Sequence, residues 1–124
     1  MSKEFIPYEI ALALKELGFD EPCLMVYNYK KQITLQNKIP FEQRTNQPNP
    51  YLCTAPLYQQ AFRWFREEYG FYCPISLRNT FKIMRDNGEF GSIHYESDRI
   101  RKYQQAQDAC LRKLIEIVNQ NKDE

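Results

Sequence analysis

Arginines beside aromatic residues are the part of this sequence with the clearest chemistry. Arg63 and Arg66 flank the single tryptophan, Trp64, by one and two positions. An aromatic ring can stack on a nucleobase, and an arginine can bind a phosphate through two parallel hydrogen bonds. These residue types predict a pocket for a small, nucleotide-derived ligand, with the candidate binding residues Arg44, Tyr51, Arg63, Trp64, Arg66 and the single histidine, His94.

Core packing is the competing interpretation of the same aromatic residues. An apolar stripe at helical spacing contains Phe62 and Phe65, and Trp64 lies next to it. An exposed Trp64 would favour a binding site, whereas a buried Trp64 would remove its best anchor. The wide aromatic face of this helix also fits a dimer or an inhibitor that binds a host protein.

A cluster of cations in the C-terminal half predicts an alternative function, the binding of single- or double-stranded nucleic acid. Acidic residues offset part of this charge and leave a net +2 over residues 78–102. Aromatic and basic side chains on a sheet can stack and neutralise single-stranded nucleic acid. The candidate residues are Arg78, Lys82, Arg85, Arg99, Arg101 and Lys102.

Motifs for catalysis, cofactor binding and metal binding are missing from the sequence. The four glycines cannot form a phosphate-binding loop, and neither HExxH nor GxSxG occurs. The four cysteines contain no CxxC pair and are expected to be reduced, buried and unreactive. We therefore expect a non-enzymatic protein with no cofactor and no metal, which binds its ligand as a homo-oligomer.

Hydrophobic periodicity predicts three helices. The first spans about 7–17 and ends at Gly18; the second begins at or just after Thr54, with Pro56 in its first turn, and ends at Gly70. The third ends near Val118 and begins either at a cap on Ser97 or Asp98 or near Tyr103. Residues 119–124 are expected to fray.

Alternating and aromatic-rich segments predict the strands. A hairpin is expected from 23–29 and 32–36, followed by a long loop over 37–53 that is either functional or a solvated insertion. Further strands are expected at 71–77, as an edge strand because of Pro74, at 80–85 and at 90–95. Asn87 and Gly88 predict the turn between the last two strands, and Gly91 predicts a bulge or a bend.

These elements predict an α+β domain with the order α-β-β-loop-α-β-β-β-α, in which three helices pack on an antiparallel sheet of about five strands. The length of 124 residues fits a single domain over 1–124. The 17 basic and 16 acidic residues exclude a polybasic arm, and no apolar run is long enough to span a membrane. With no signal peptide predicted at the N-terminus, we expect a cytoplasmic protein.

Three segments of the sequence resemble a family of short proteins encoded by bacteriophages and prophages, notably of Bacteroidetes. They are EFIPYEIALALKELGFDEPC (4–23), APLYQQAFRWFREEYG (55–70) and YQQAQDACLRKLIEIV (103–118), which include the three predicted helices. No activity is established for this family, so no catalytic residue is implied. The resemblance implies a phage accessory protein in the cytosol of an infected bacterium, and by analogy a ligand-sequestering role against host defence.

Overall fold

The computed structural model describes residues 4–35, 38–46, 51–85 and 92–122. Within these residues the chain forms three α-helices and two three-stranded antiparallel sheets, which confirms the α+β class. The expectation of one sheet of about five strands is wrong, because a sixth strand completes a separate sheet in the N-terminal part. The chain divides into two compact units, 1–58 and 59–124. That the whole chain is a single domain stays a prediction.

The first helix, α1 (Tyr8–Leu17), has the limits that the sequence predicts. Pro7 is the N-cap and Gly18 ends the helix with a left-handed φ of 104°, its N–H donating to the carbonyls of Leu14 and Lys15. This conformation costs glycine little because glycine has no Cβ. The buried face of α1 consists of Ile10, Ala11, Leu14 and Leu17.

The sheet of the first unit has the order β2-β1-β3, formed by β1 (Met25–Tyr27), β2 (Ile33–Thr34) and β3 (Cys53–Ala55). The predicted β1–β2 hairpin is confirmed. The prediction that Thr54 caps a helix is wrong, because Thr54 lies in β3 opposite Val26 and is fully buried. A strand of three residues shows no recognisable alternation, which is why the sequence did not predict it.

The described part of the predicted 37–53 loop is held by specific hydrogen bonds. A 3-10 helix spans Phe41–Gln43. Asn46 then connects two distant segments: its amide nitrogen donates to the Phe19 carbonyl at 2.8 Å, and its amide oxygen accepts from the Thr54 N–H at 2.8 Å. Residues 44–46 are therefore tied to the rest of the first unit, whereas residues 38 and 40–43 are exposed.

The second helix, α2 (Tyr58–Tyr69), begins four residues after Thr54. It ends at Gly70, which has a φ of 73°, and this confirms the predicted end of the helix.

The second sheet follows, with the order β4-β5-β6. It consists of β4 (Phe71–Tyr72), β5 (Lys82–Arg85) and β6 (Ser92–Glu96). β4 is an edge strand, as Pro74 predicts, since proline cannot donate to a neighbouring strand.

The pairing of β5 with β6 contains an irregularity. Ile83 pairs with Tyr95 but Met84 pairs with Ile93, so His94 is the extra residue on β6. The irregularity therefore lies three residues after the predicted bulge at Gly91. Gly91 and the predicted turn at Asn87 and Gly88 lie outside the described residues.

The third helix, α3 (Tyr103–Lys122), begins at the later of the two predicted positions and packs against β5. It continues beyond Val118 through residues 119–122, and the fraying of these residues stays a prediction. The helix is buried along one stripe of Ala106, Cys110, Leu111, Leu114 and Val118. Tyr103, the first residue of the helix, is 54% exposed.

None of the helices in the described ranges has the length and apolar character needed to cross a membrane.

Tyr27 is expected to make the protein less stable at alkaline pH. Its hydroxyl donates to the Ile6 carbonyl at 2.6 Å, and burial, with the nearby charges of Cys53 and Glu9, raises its pKa from 10.0 to about 12. The folded protein holds this proton more tightly than the unfolded chain. The stabilisation of the folded state by the protonated Tyr27 hydroxyl is therefore complete below pH 10, and it is lost as the pH rises toward 12. We expect Tyr27→Phe to cost about 1 kcal/mol at neutral pH and to flatten the alkaline loss.

Urea unfolding between neutral pH and pH about 11 measures this effect. Burial also raises the pKa of Cys53 to about 11, so part of the alkaline loss remains in the variant. Tyr29→Phe is the matched control because Tyr29 is 67% exposed. If the free energy of unfolding of Tyr27→Phe falls with rising pH as steeply as that of the wild type, the prediction is contradicted.

Candidate ligand-binding cleft

An open cleft of about 420 Å³ lies in the second unit, between the chain that leaves β6 and the outer face of α3. We call it the Tyr95 cleft. It is lined by two aromatic rings and by charged side chains of both signs, chiefly Phe81, Tyr95, Arg99, Arg112, Lys113 and Glu116. Its volume lies within the range of small-molecule sites.

Backbone hydrogen bonds position the wall formed by residues 97–100. The Phe81 N–H donates to the Ser97 hydroxyl at 2.8 Å, and the Ser97 N–H donates to the Phe81 carbonyl at 2.9 Å. Farther along, the Ile100 N–H donates to the Asn79 carbonyl at 3.1 Å. Arg99 is thereby carried on a segment that is fixed on both sides.

The aromatic part of the cleft is a pair of rings. Phe81 is buried and Tyr95 is half-buried, with centroids 5.6 Å apart and planes inclined by 31°. The Lys113 ammonium lies 4.6 Å from the centroid of the Tyr95 ring. The same ammonium forms an ion pair with Glu116 at 3.3 Å. The Lys113 ammonium therefore covers part of the Tyr95 ring.

The charged part of the cleft has two exposed arginines. Arg99 and Arg112 form no ion pair with a carboxylate among the residues that the structure describes. With Lys113 they bring three cations to a cleft that also contains the carboxylates of Asp98 and Glu116. Two guanidinium groups without a paired carboxylate are suited to bind phosphate or carboxylate groups in a bidentate manner.

Trp64 is buried and therefore does not supply the expected stacking anchor. Only 6% of the residue is exposed. Its ring packs edge-on against Phe65 and Tyr69, with centroids 5.1 and 5.5 Å apart. The core interpretation of this aromatic stripe is the one that the structure supports.

The arginines beside Trp64 have different surroundings. Arg63 and Arg66 are exposed on α2, and Arg66 lines a second cleft with Phe62 and Phe71. Neither lines the Tyr95 cleft as far as it is described. A role for either arginine in ligand binding stays a prediction.

Arg44 and Tyr51 make structural hydrogen bonds in the first unit. The Arg44 guanidinium donates to the carbonyls of Leu24 and Ile39 at 2.9 and 3.0 Å. The Tyr51 hydroxyl donates to the Thr45 carbonyl at 2.7 Å, and the residue is 5% exposed. These contacts account for both residues without a ligand.

His94 lies in β6, and only its backbone is among the parts of the chain that the structure describes.

Of the residues that line the Tyr95 cleft, the sequence analysis identified Arg99, but as a nucleic-acid contact. It missed Tyr95, Arg112 and Lys113 as a group. The available signal was that Arg112 and Lys113 fall outside the buried stripe of α3.

The residues predicted to bind nucleic acid occupy several places in the second unit. Lys82 forms an ion pair with Glu96 at 3.6 Å, and the Arg85 guanidinium lies 5.6 Å from the Phe71 ring centroid. Arg78, Arg101 and Lys102 are exposed. The Asn79 amide donates to the Arg101 carbonyl at 3.3 Å, which brings the turn that contains Arg78 close to Arg101.

No group of three or more His, Cys, Asp or Glu residues arranged to hold a metal ion occurs in the described ranges. Comparison with known proteins gives no matching family model, no matching curated protein and no matching solved structure.

The burial of Trp64 can be tested through its fluorescence, because it is the single tryptophan of the chain. We expect weak quenching by iodide in the folded protein and strong quenching after unfolding in urea. Trp64→Ala is expected to cost about 3–5 kcal/mol of stability, as for other buried aromatic side chains. Tyr103→Ala, at a 54% exposed position, is the control and should change stability by no more than about 0.5 kcal/mol. Strong quenching of the folded protein would contradict the assignment of Trp64 to the core.

Proposed function

We propose that this chain is a non-enzymatic protein that binds a small anionic ligand with an aromatic group, of the nucleotide class, in the Tyr95 cleft. The observation that carries the proposal is the combination, in one cleft, of a half-buried tyrosine ring with two arginines that have no described carboxylate partner. An aromatic ring can stack on a nucleobase, and a guanidinium group can bind a phosphate in a bidentate manner.

Lys113 determines how such a ligand would enter. Its contact with Tyr95 is worth about 0.5–1 kcal/mol at an exposed site, and its ion pair with Glu116 is worth a similar amount or less. A base that stacks on Tyr95 can therefore displace the ammonium at little cost. The displaced ammonium remains close enough to contribute to phosphate binding.

The charge of the cleft favours ligands with one or two phosphates. Asp98 and Glu116 offset part of the charge of the three cations. The remaining positive charge of the cleft is therefore small, and a ligand with few negative charges can neutralise it. Hydrogen bonds to charged groups are worth about 1.5–3 kcal/mol each. Arg99 and Arg112 together can therefore supply much of the binding free energy of a micromolar ligand, about 8 kcal/mol.

Binding of single-stranded nucleic acid is the second candidate function. It is favoured by the hydrogen bond from Asn79 to the Arg101 carbonyl, which brings the Arg78 turn close to the segment that contains Arg99 and Lys102. Exposed cations near an aromatic cleft are typical of strand-binding surfaces. The bacteriophage context, an action against host defence and the binding of a host protein stay predictions of the sequence.

Thermal unfolding of the full chain with a panel of ligands tests the proposed function. The panel contains mononucleotides, cyclic nucleotides, ADP-ribose, inorganic phosphate and short single-stranded oligonucleotides. A ligand at a hundred times its Kd adds about 2.7 kcal/mol of stability, which raises Tm by several degrees. We expect a shift with one of the nucleotides, and affinities about 10- to 100-fold weaker in Arg99→Ala and Arg112→Ala.

Arg78→Ala is the matched control, since Arg78 is exposed in the same unit and does not line the cleft. It should leave nucleotide binding unchanged. The absence of a shift with every small molecule, or an equal loss of affinity in Arg78→Ala, would contradict the Tyr95 cleft as the site.

The second candidate function predicts a different pattern. Oligonucleotides alone would shift Tm, Arg78→Ala would weaken their binding, and the affinity would decrease steeply with salt. Each lost phosphate contact reduces the slope of log affinity against log salt by about 0.7 for a single strand. A salt titration of the wild type and Arg78→Ala measures this difference, and equal slopes would contradict strand binding at Arg78.

A further inference from the structure

The second cleft of the second unit has mostly apolar walls and a volume of about 420 Å³. We call it the Arg66 cleft. It is formed by residues of α2, of β4 with the segment that follows it, and of β5, chiefly Phe62, Arg66, Phe71, Tyr72, Cys73 and Met84. As far as the two clefts are described, they share no lining residue, so the Arg66 cleft is a separate site from the Tyr95 cleft.

The local structure places one face of α2 beside the edge of the second sheet. Phe62 and Arg66 are four positions apart on α2, so they lie on the same face of the helix. Gly70, with its φ of 73°, is the single residue between the end of α2 and the start of β4. Tyr72 of β4 then pairs with Met84 of β5. The short connection keeps the helix wall of the cleft close to the strand wall, and the pairing fixes the two strands relative to each other.

Arg66 is the single charged residue among the described residues that line this cleft. It is exposed, and it forms no ion pair with a carboxylate in the part of the chain that the structure describes. The Arg66 cleft therefore combines apolar walls, which the hydrophobic part of a ligand can cover, with one guanidinium group that is open to solvent and to an anion.

A single guanidinium group beside apolar walls matches a ligand with one carboxylate. Arginine binds a carboxylate through two parallel hydrogen bonds, which are stronger than hydrogen bonds between neutral groups. A phosphate monoester would bring a second negative charge, for which the described lining residues offer no second cation. An uncompensated charge beside apolar walls is costly. The aromatic walls and the Met84 thioether favour a ring as the apolar part of the ligand, because ring pairs and sulfur–ring contacts add attraction beyond burial.

We propose that the Arg66 cleft binds a small aromatic carboxylate, with the ring of the ligand against the apolar walls and its carboxylate paired with the Arg66 guanidinium. The inference rests on the apolar cleft and on a cation that has no described carboxylate partner. It assigns Arg66 a ligand of a different class from the nucleotide that the sequence predicts. It is independent of the proposed function of the Tyr95 cleft, because the two clefts have different lining residues.

Isothermal titration calorimetry of the folded full chain with hydrocinnamate, a phenyl ring with a short carboxylate arm, tests the pairing with Arg66. Hydrocinnamyl alcohol is the neutral counterpart with the same ring. We expect the wild type to bind hydrocinnamate about 10- to 100-fold more tightly than the alcohol. Arg66→Ala should bind the two compounds with similar affinity. Arg66→Lys should keep only part of the preference, because an ammonium group cannot pair with a carboxylate through two parallel hydrogen bonds.

Arg63→Ala is the matched control, since Arg63 is exposed on the same helix and is not among the described residues that line the cleft. It should bind both compounds as the wild type does. A wild type that does not bind hydrocinnamate would overturn the site. An undiminished preference for hydrocinnamate in Arg66→Ala, or an equal loss of preference in Arg63→Ala, would overturn the pairing with Arg66.

Cys73 provides an independent measure of where the ligand binds. Cys23, Cys53 and Cys110 are at most 1% exposed, which confirms the expected burial for these three thiols, whereas Cys73 is half-buried and lines the Arg66 cleft. The expectation that all four thiols are buried is therefore wrong for Cys73. The neutral reagent N-ethylmaleimide should modify Cys73 first in the folded protein, because access to the thiol limits the reaction at buried cysteines. Intact-mass measurement and peptide mapping follow this modification.

Hydrocinnamate in the cleft should protect Cys73. At ten times its Kd, about one-tenth of the clefts remain free, so the rate of modification should fall about tenfold. The same concentration should slow the reaction of Arg66→Ala by no more than about twofold, because its affinity is lower. Adenosine monophosphate, a ligand of the class proposed for the Tyr95 cleft, should leave the rate unchanged. Equal rates with and without hydrocinnamate in the wild type would overturn the assignment of the ligand to this cleft, whether or not nucleotides bind in the Tyr95 cleft.

Discussion

The reciprocal hydrogen bonds between Phe81 and Ser97 are the constraint on which the second unit depends. They come at the point where β5 begins and the chain has just left β6, so one residue pair closes the end of the hairpin. The Ser97 hydroxyl accepts from the Phe81 N–H and donates to the Asp98 carbonyl at 2.9 Å. A half-buried backbone N–H would otherwise lack a partner, at a cost of about 1–3 kcal/mol. This closure directs residues 97–102 across the sheet end and into α3, and it thereby forms one wall of the Tyr95 cleft.

The helices were predictable because each has a strong apolar period, and α1 and α2 also have an effective stop signal. Gly18 and Gly70 both adopt positive φ at the predicted ends of α1 and α2. The division of the strands between two separate sheets was not predictable. β3 has three residues, all buried, and Pro56 follows it, so its sequence resembles the start of a helix more than a strand. The prediction of a single sheet was wrong because this short strand pairs with β1 and completes a separate sheet in the first unit.

The residues of the candidate cleft were harder to predict than the fold for a related reason. An arginine next to an aromatic residue in the sequence points away from it on a helix, because neighbouring side chains diverge by about 100°. Trp64 could therefore enter the core while Arg63 and Arg66 stayed outside it. The rings and cations that do share a cleft come from different segments: Tyr95 from β6, Arg99 from the segment after it, and Arg112 and Lys113 from α3. Their proximity is a property of the tertiary structure and left no local pattern.

α3 performs two tasks with residues that do not overlap. Its stripe from Ala106 to Leu114 is buried, whereas Arg112, Lys113 and Glu116 lie on the face that lines the cleft. Substitutions on such a surface usually change stability by no more than about 0.5 kcal/mol. Selection can therefore alter the three cleft positions one at a time without first acquiring a compensating change in the core. Among related sequences, the side chains that line this cleft are therefore expected to diverge faster than the buried stripe of the helix that supports them.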